Sequence, residues 1–210
     1  MDVPDVAATE QVNLREAGLE VQLSDQLREL RDRLVGAFGD LEVLGFRGEL
    51  TVITGPGRLL DVLAFSRDQP DVRCQYLMDL SGVHWPGGVI RDDTQETTGW
   101  PAYEYEREGR IELDYILYSL THNHRFRVRT SVPDVDPSVP SAVGLWSAAN
   151  VMEREVYDFL GVHFEGHPNL TRILMPEEWD GHPHRKDYPL GGVEIAYQGA
   201  TIPPPSERKY

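Results

Sequence analysis

Four histidines, His163, His167, His182 and His184, lie in one stretch of chain that also holds Glu165 and Asp187. Imidazole and carboxylate are the ordinary ligands of zinc, so a metal centre is the first chemistry this stretch could carry. The spacing argues against it. His163 and His167 are four residues apart but follow Gly161, a helix-ending residue, which removes the shared helical face on which a His-Glu-x-x-His site depends, and His182-Pro183-His184 matches no zinc pattern. Histidines bonded to backbone in a loop-rich contact region are the better expectation. Glu153-Arg154-Glu155 with Asp158 could form a general acid pair, because close carboxylates drive their pKa values apart. Neighbouring residues on a helix diverge, however, so Glu153 and Glu155 cannot share a proton; ion pairing to another chain or capping of the extended segment fits better. Gly55-Pro56-Gly57 is not a dinucleotide fingerprint, and the sequence contains neither a phosphate-cradling Gly-Lys-Ser/Thr loop nor a Gly-x-Ser-x-Gly elbow. Arg125, Arg127 and Arg129 alternate along one run, which places three cations on one strand face, expected to be a docking patch for an acidic neighbour. Cys74 sits in an apolar run and reads as a small buried hydrophobe.

Composition narrows the function further. The 210 residues suit one domain with appended segments. Thirty-five acids against 20 bases give a formal charge of -15, a field that repels phosphate backbones and anionic lipid, so no nucleic acid partner is expected. One cysteine can form neither an internal disulfide nor an iron-sulfur cluster. The opening Met1-Asp2-Val3-Pro4-Asp5 lacks the basic and apolar regions of a secretory signal, and no run approaches the roughly 20 apolar residues of a membrane span. Work at a membrane would require another chain to hold this one there.

The elements that must position these residues can be read from periodicity. Residues 1–20 are expected to be a flexible acidic leader. Ser24 can cap a helix with Leu27, Leu30, Leu34 and Phe38 on one face and Gly39 at its end. Leu41 to Phe46 and Glu49 to Thr54 read as a hairpin around Arg47-Gly48, followed by a short helix from Leu59 to Phe65. Cys74 to Leu80 has the bulk of a strand, and Ile111 to Leu120 with Arg125 to Thr130 makes a second hairpin turning at His122-Asn123-His124. Residues 81–109 read as an inserted loop. The fold class expected is α+β, a two-layer domain of order α-β-β-α-β-β-β over residues 21–145 with a largely antiparallel mixed sheet. Pro133, Pro137 and Pro140 then enforce an extended linker into a helix from Trp146 to Leu160, with Gly161 at its left-handed cap. Beyond it, Pro168, Pro176, Pro183 and Pro189 break a segment that still carries Phe164, Leu170, Ile173, Leu174, Met175, Trp179 and Tyr188. Residues 146–210 are therefore read as a helix plus an extended, Pro-rich, partner-binding segment and tail.

Glu153-Arg154-Glu155-Val156-Tyr157-Asp158, Gly161, Phe164 and Gly166-His167-Pro168 begin a longer pattern. It continues through Arg172-Ile173-Leu174-Met175-Pro176, Trp179, Gly181-His182-Pro183 and Arg185-Lys186-Asp187-Tyr188-Pro189. Over these positions the chain resembles the C subunit of respiratory complex I, the 30-kilodalton-type subunit of NADH-quinone oxidoreductase. Thr171 stands where that family commonly has a basic residue, and His184 where it has Leu or Phe. The resemblance implies a non-redox structural subunit of the peripheral arm, packed against the D subunit (49-kilodalton type) beside the B subunit. It implies no cofactor or catalytic residue in this chain, with FMN and iron-sulfur clusters in partner subunits. NADH and quinone would be met only through the assembly, at the cytoplasmic side of a bacterial cell membrane. Arg172, Arg185, Lys186 and Asp187 are expected as interface anchors. Two alternatives are a homologous subunit of a complex fed by another donor, and a freestanding metal enzyme using the histidines.

Overall fold

The computed structural model describes residues 23–39, 41–92, 103–189, 195–197 and 200–202. The expectations for the acidic leader and for the last tail residues, 203–210, lie outside the described residues.

Helix α1 (Asp25–Phe38) starts where Ser24 Oγ accepts the Leu27 N–H and buries Leu27, Leu30 and Leu34. The hairpin around Arg47-Gly48 forms from β1 (Glu42–Phe46) and β2 (Glu49–Ile53); both turn residues take positive φ, 51° and 77°, as a tight two-residue hairpin turn requires. A single 3-10 turn at Pro56–Arg58 leads into α2 (Leu59–Asp68), whose Leu59, Val62 and Leu63 are buried. Next come β3 (Tyr76–Trp85), β4 (Gly88–Asp92), β5 (Tyr103–Arg107), β6 (Arg110–Ser119) and β7 (His124–Pro133).

The five-stranded sheet has the order β1-β2-β7-β6-β3. Its pairs are antiparallel except β2 with β7, which run parallel from Thr51 opposite Arg127 to Ile53 opposite Arg129. This is the α+β class with a largely antiparallel mixed sheet. Residues 81–109 differ from the expected loop: β3 runs on through Ser81, Gly82 and Val83 to Trp85, and β4 and β5 pair as a separate two-stranded ribbon. Gly82 does not break the strand because it lies where Leu160 packs, and a Cβ there would sit 2.4 Å from Leu160 Cδ1.

The three-proline linker bends over residues 134–136 instead of running extended throughout, and its end forms β8 (Ser138–Pro140), parallel to β9 (His163–Glu165). The third helix, α3 (Ala149–Leu160), begins three residues later than expected; Trp146 precedes it in a turn, still buried, with its indole N–H donated to the Cys74 carbonyl. The core gathers α1, α2, the inner sheet face and, in the same cluster, Val139, Ala142, Trp146, Ala149, Val156, Leu160, Val162 and Phe164. Two short strands, β10 (Ile195–Tyr197) and β11 (Ala200–Ile202), pair with each other.

Candidate docking surface

The C-terminal end of α3 is closed by the segment that follows it. A helix leaves its last carbonyls without partners, and an αL residue turns the chain back to supply them. Gly161 takes that conformation at φ 78°, and its N–H is donated to the Tyr157 carbonyl. The Asp158 carbonyl accepts from Arg172 Nη1 at 3.1 Å and His182 Nδ1 at 3.0 Å, and the Phe159 carbonyl accepts the His184 N–H. A cation at this negative helix end is favoured as well as bonded.

Asp158 organises the segment from within. Its side chain is inaccessible to solvent; Oδ1 accepts from Arg172 at 2.7 Å, and Oδ2 accepts the consecutive N–H groups of Ile173, Leu174 and Met175 at 2.8 to 3.0 Å. Burial pushes the carboxyl pKa up, but the Met175, Leu174 and Ile173 amides and the Arg172 guanidinium outweigh it and hold the group at about 2. The other branch of Arg172 donates to the Trp179 and Gly181 carbonyls, both at 2.9 Å. Arg154 donates to the Thr171 carbonyl and hydroxyl and to the Arg172 carbonyl. His167 Nδ1 accepts the Asn169 N–H, so its Nε2–H is the proton donated to the Asn150 carbonyl. Asn150, Arg154 and Asp158 are four residues apart and form one stripe along α3 that holds the segment down. The Arg154-Asp158 spacing is the signal in the sequence by which part of the stripe could have been found, since Asn150 takes part through its backbone carbonyl and its side-chain type carries no such signal.

Glu153 points elsewhere. It is buried and accepts from Ser141 Oγ and the Ala142 N–H, both at 2.6 Å, so it ties α3 to the residues that follow the proline linker and not to the extended segment beyond the helix. Burial raises its pKa, opposed by those two bonds and by His167. Glu155 is exposed. Phe164 is buried in β9, Gly166 turns the chain at φ 80°, and Pro168 is exposed.

A second tie joins the segment to the sheet through His84, a residue that sequence reasoning missed. His84 is buried in β3; Nδ1 accepts the Lys186 N–H at 2.9 Å, and Nε2–H is therefore donated to Asp134 at 3.1 Å. Arg185 donates to the Asp134 carbonyl and pairs with Asp187. The Arg185 hydrogen bond and charge hold the Asp187 carboxyl below its usual range despite some burial. Above this junction lies a shallow groove of about 460 Å³ lined by Gly82, Val83, His84, Pro183, His184, Arg185, Lys186 and Tyr188. Gly181, at φ 79°, accommodates the Tyr188 ring, whose hydroxyl is donated to the Asp180 carbonyl.

Of the four expected anchors, Arg172 and Arg185 thus direct their guanidinium groups inward, Asp187 pairs with Arg185, and Lys186 is exposed and makes no ion pair among the described residues. The rings of His167 and His182 bond backbone, His184 stacks on Phe159 at 4.0 Å, His163 is exposed, and no group of three metal-capable side chains forms among the described residues. The arginine stripe needs correction: its partners lie in this chain, with Arg125 and Arg127 on Glu49 and Arg129 chelating Asp114 at 2.7 and 2.8 Å. Cross-strand register, invisible in a linear reading, brings those acids opposite. Burial raises the Cys74 thiol to about 12, which leaves it unreactive.

Residues 52–194 match the family model described as the respiratory-chain NADH dehydrogenase 30 Kd subunit. The chain belongs to this family. The NADH-quinone oxidoreductase C subunit of Mycolicibacterium gilvum is 43% identical over 189 residues, covering 86% of this chain and 75% of that protein. Its counterpart in Acidothermus cellulolyticus is 41% identical over 188 residues, covering 90% and 88%. Among solved structures, the trypsin-resistant fragment (1–134) of Nqo5 superposes with a TM-score of 0.50 at 30% identity, over 69% of this chain and 99% of that one. A chain of the archaeal membrane-bound sulfane sulfur reductase shares the fold, with a TM-score of 0.55 at 23% identity over 79% and 87%. As a member of the 30 kDa family the chain is a component of an oxidoreductase complex. The segment held by Asp158 and Arg172 lies inside the matched region, and no helix among the described residues is long and apolar enough to cross a membrane.

Proposed function

We propose that this chain is a non-redox structural subunit of the peripheral arm of proton-translocating NADH:quinone oxidoreductase, docking on the D subunit (49-kilodalton type) beside the B subunit. FMN and iron-sulfur clusters held by partner subunits would carry electrons from NADH to quinone, and this chain would brace those neighbours at the cytoplasmic face of the membrane. The observation that carries the reading is the segment 166–188. It has almost no regular structure, yet Asp158, Arg154, Arg172 and His84 fix its backbone from within the chain, so its outward side chains form a rigid surface. A chain that uses its buried polar groups to hold a surface, with its thiol buried and protonated, is built for contact.

The test is purification of the tagged chain from its own host's membranes in mild detergent, with partner identification, flavin and iron analysis, and an NADH-to-quinone assay. Co-elution of the D and B subunits in a flavin- and iron-containing assembly with that activity is the expected result. The same assembly without NADH oxidation would assign the chain to a complex with another donor, and a lone chain would defeat the proposal.

A further inference from the structure

Two large apolar side chains stand out on the segment 166–188: Leu174 is 58% exposed and Trp179 is 40% exposed. Their backbone is held on both sides. The Leu174 and Met175 N–H groups are donated to Asp158, the Trp179 N–H to the Pro176 carbonyl, and the Trp179 carbonyl accepts from Arg172. The loop is thus ordered before any partner arrives, which removes much of the entropy cost of docking. The Trp179 indole N–H makes no hydrogen bond among the described residues, unlike that of buried Trp146. Tryptophan in such a setting is the residue type most enriched among binding hot spots.

The charges beside it say what kind of surface fits. Glu177, Glu178 and Asp180 are exposed and make no ion pair among the described residues. On the outer sheet face, by contrast, Glu49, Glu112 and Asp114 are neutralised by Arg125, Arg127 and Arg129. Trp85, the other exposed tryptophan among the described residues, lies under two guanidinium groups of its own chain, Arg107 and Arg110. At the 174–180 loop, outward apolar groups and carboxylates without an ion pair among the described residues coincide on a backbone held from within the chain. Phosphate backbones and anionic lipid are repelled by these carboxylates and by the charge of -15.

We propose that the Leu174 to Asp180 loop is the principal anchor by which this chain docks on a neighbouring subunit, inserting Trp179 and Leu174 into an apolar pocket rimmed by lysine or arginine. The inference rests on the subunit reading above and adds the chemistry of the partner surface.

The experiment restores full-length variants to membranes of a host lacking this chain and measures their retention in the assembly. Trp179→Ala is expected to weaken retention about 30-fold or more, the scale of a hot-spot truncation. Neutralising the rim with Glu177→Gln, Glu178→Gln and Asp180→Asn is expected to slow association on the order of tenfold at low salt and flatten its salt dependence. All three positions are exposed, so this variant folds even if Trp179→Ala does not. A photo-crosslinker at position 179 should capture a partner peptide containing Lys or Arg. Wild-type retention of both variants, or a crosslink only to a surface without basic residues, would overturn the anchor while a wild-type chain that still assembles leaves the subunit reading standing. If the wild-type chain recovers no assembly, both fall.

Discussion

Asp158 and Glu153 are two buried carboxylates five residues apart on one helix, and their surroundings drive them in opposite directions. Asp158 meets three amides and a guanidinium, which favour the charged form more than burial disfavours it. Glu153 meets one amide and one hydroxyl, and burial wins. The depressed pKa of Asp158 gives stability that is present above the unfolded value of 3.8 and lost as pH falls toward about 2, worth about 2 kcal/mol. Glu153 has the opposite sign: its raised pKa means that stability declines as pH rises past its ordinary value of 4.5. Asp158→Asn should therefore cost about 2–3 kcal/mol at pH 7, and the cost should shrink toward pH 2, where the wild-type carboxylate is itself titrating. Urea unfolding of both proteins at pH 7 and pH 2.5 checks this; an equal difference at both values would show that the charge is not what stabilises the segment.

Elements show where side-chain patterning informs and where it stops. The Arg47-Gly48 hairpin is readable because a two-residue turn with positive φ has its own chemistry. The α3 cap is readable because Gly161 follows an amphipathic run. The extension of β3 through Gly82 is not, since a glycine inside a strand and a glycine inside a loop look alike until the helix packed on it is known. The strap along α3 is only partly legible for the same reason: its motif residues stand out, but the inward direction of Arg172 and the role of His84 depend on contacts between positions far apart in sequence. Gly82→Ala tests the helix-strand contact. Its Cβ would meet Leu160 Cδ1 at 2.4 Å and Leu113 Cδ2 at 3.2 Å, both on buried side chains. Overpacking of this kind should cost about 1–3 kcal/mol. In a double-mutant cycle, Leu160→Ala should remove most of that penalty, an interaction energy that distant sites do not show. Additive effects of the two changes would mean that α3 does not rest on β3 at Gly82.

At the scale of the molecule, the question is whether residues beyond the proline linker fold by themselves or with the sheet. Trp146, Val156, Leu160, Val162 and Phe164 lie in the same cluster as Leu50, Val52, Leu113 and Leu117. Burying each large apolar side chain is worth roughly 1.5–3 kcal/mol, so these five contribute on the order of 7–15 kcal/mol, the size of a whole domain's net stability. A chain ending after Ser141 should therefore lose cooperative unfolding, with near-UV circular dichroism collapsed and no sigmoidal urea transition. A chain ending after Glu165 keeps that cluster and the β8–β9 pairing and loses the segment 166–188 with the β10–β11 pair. The segment's ties to the rest are mostly hydrogen bonds, with Leu170 against the core and His184 stacked on Phe159 among its apolar contacts. This longer chain should unfold in one transition, a few kcal/mol less stable than the full chain. The two truncations differ by 24 residues, yet nearly all of the cooperative unit's dependence should lie between them. If the shorter chain unfolds as sharply as the longer one, α3 is an appendage, and the rigidity of the docking surface must come from the partner it meets.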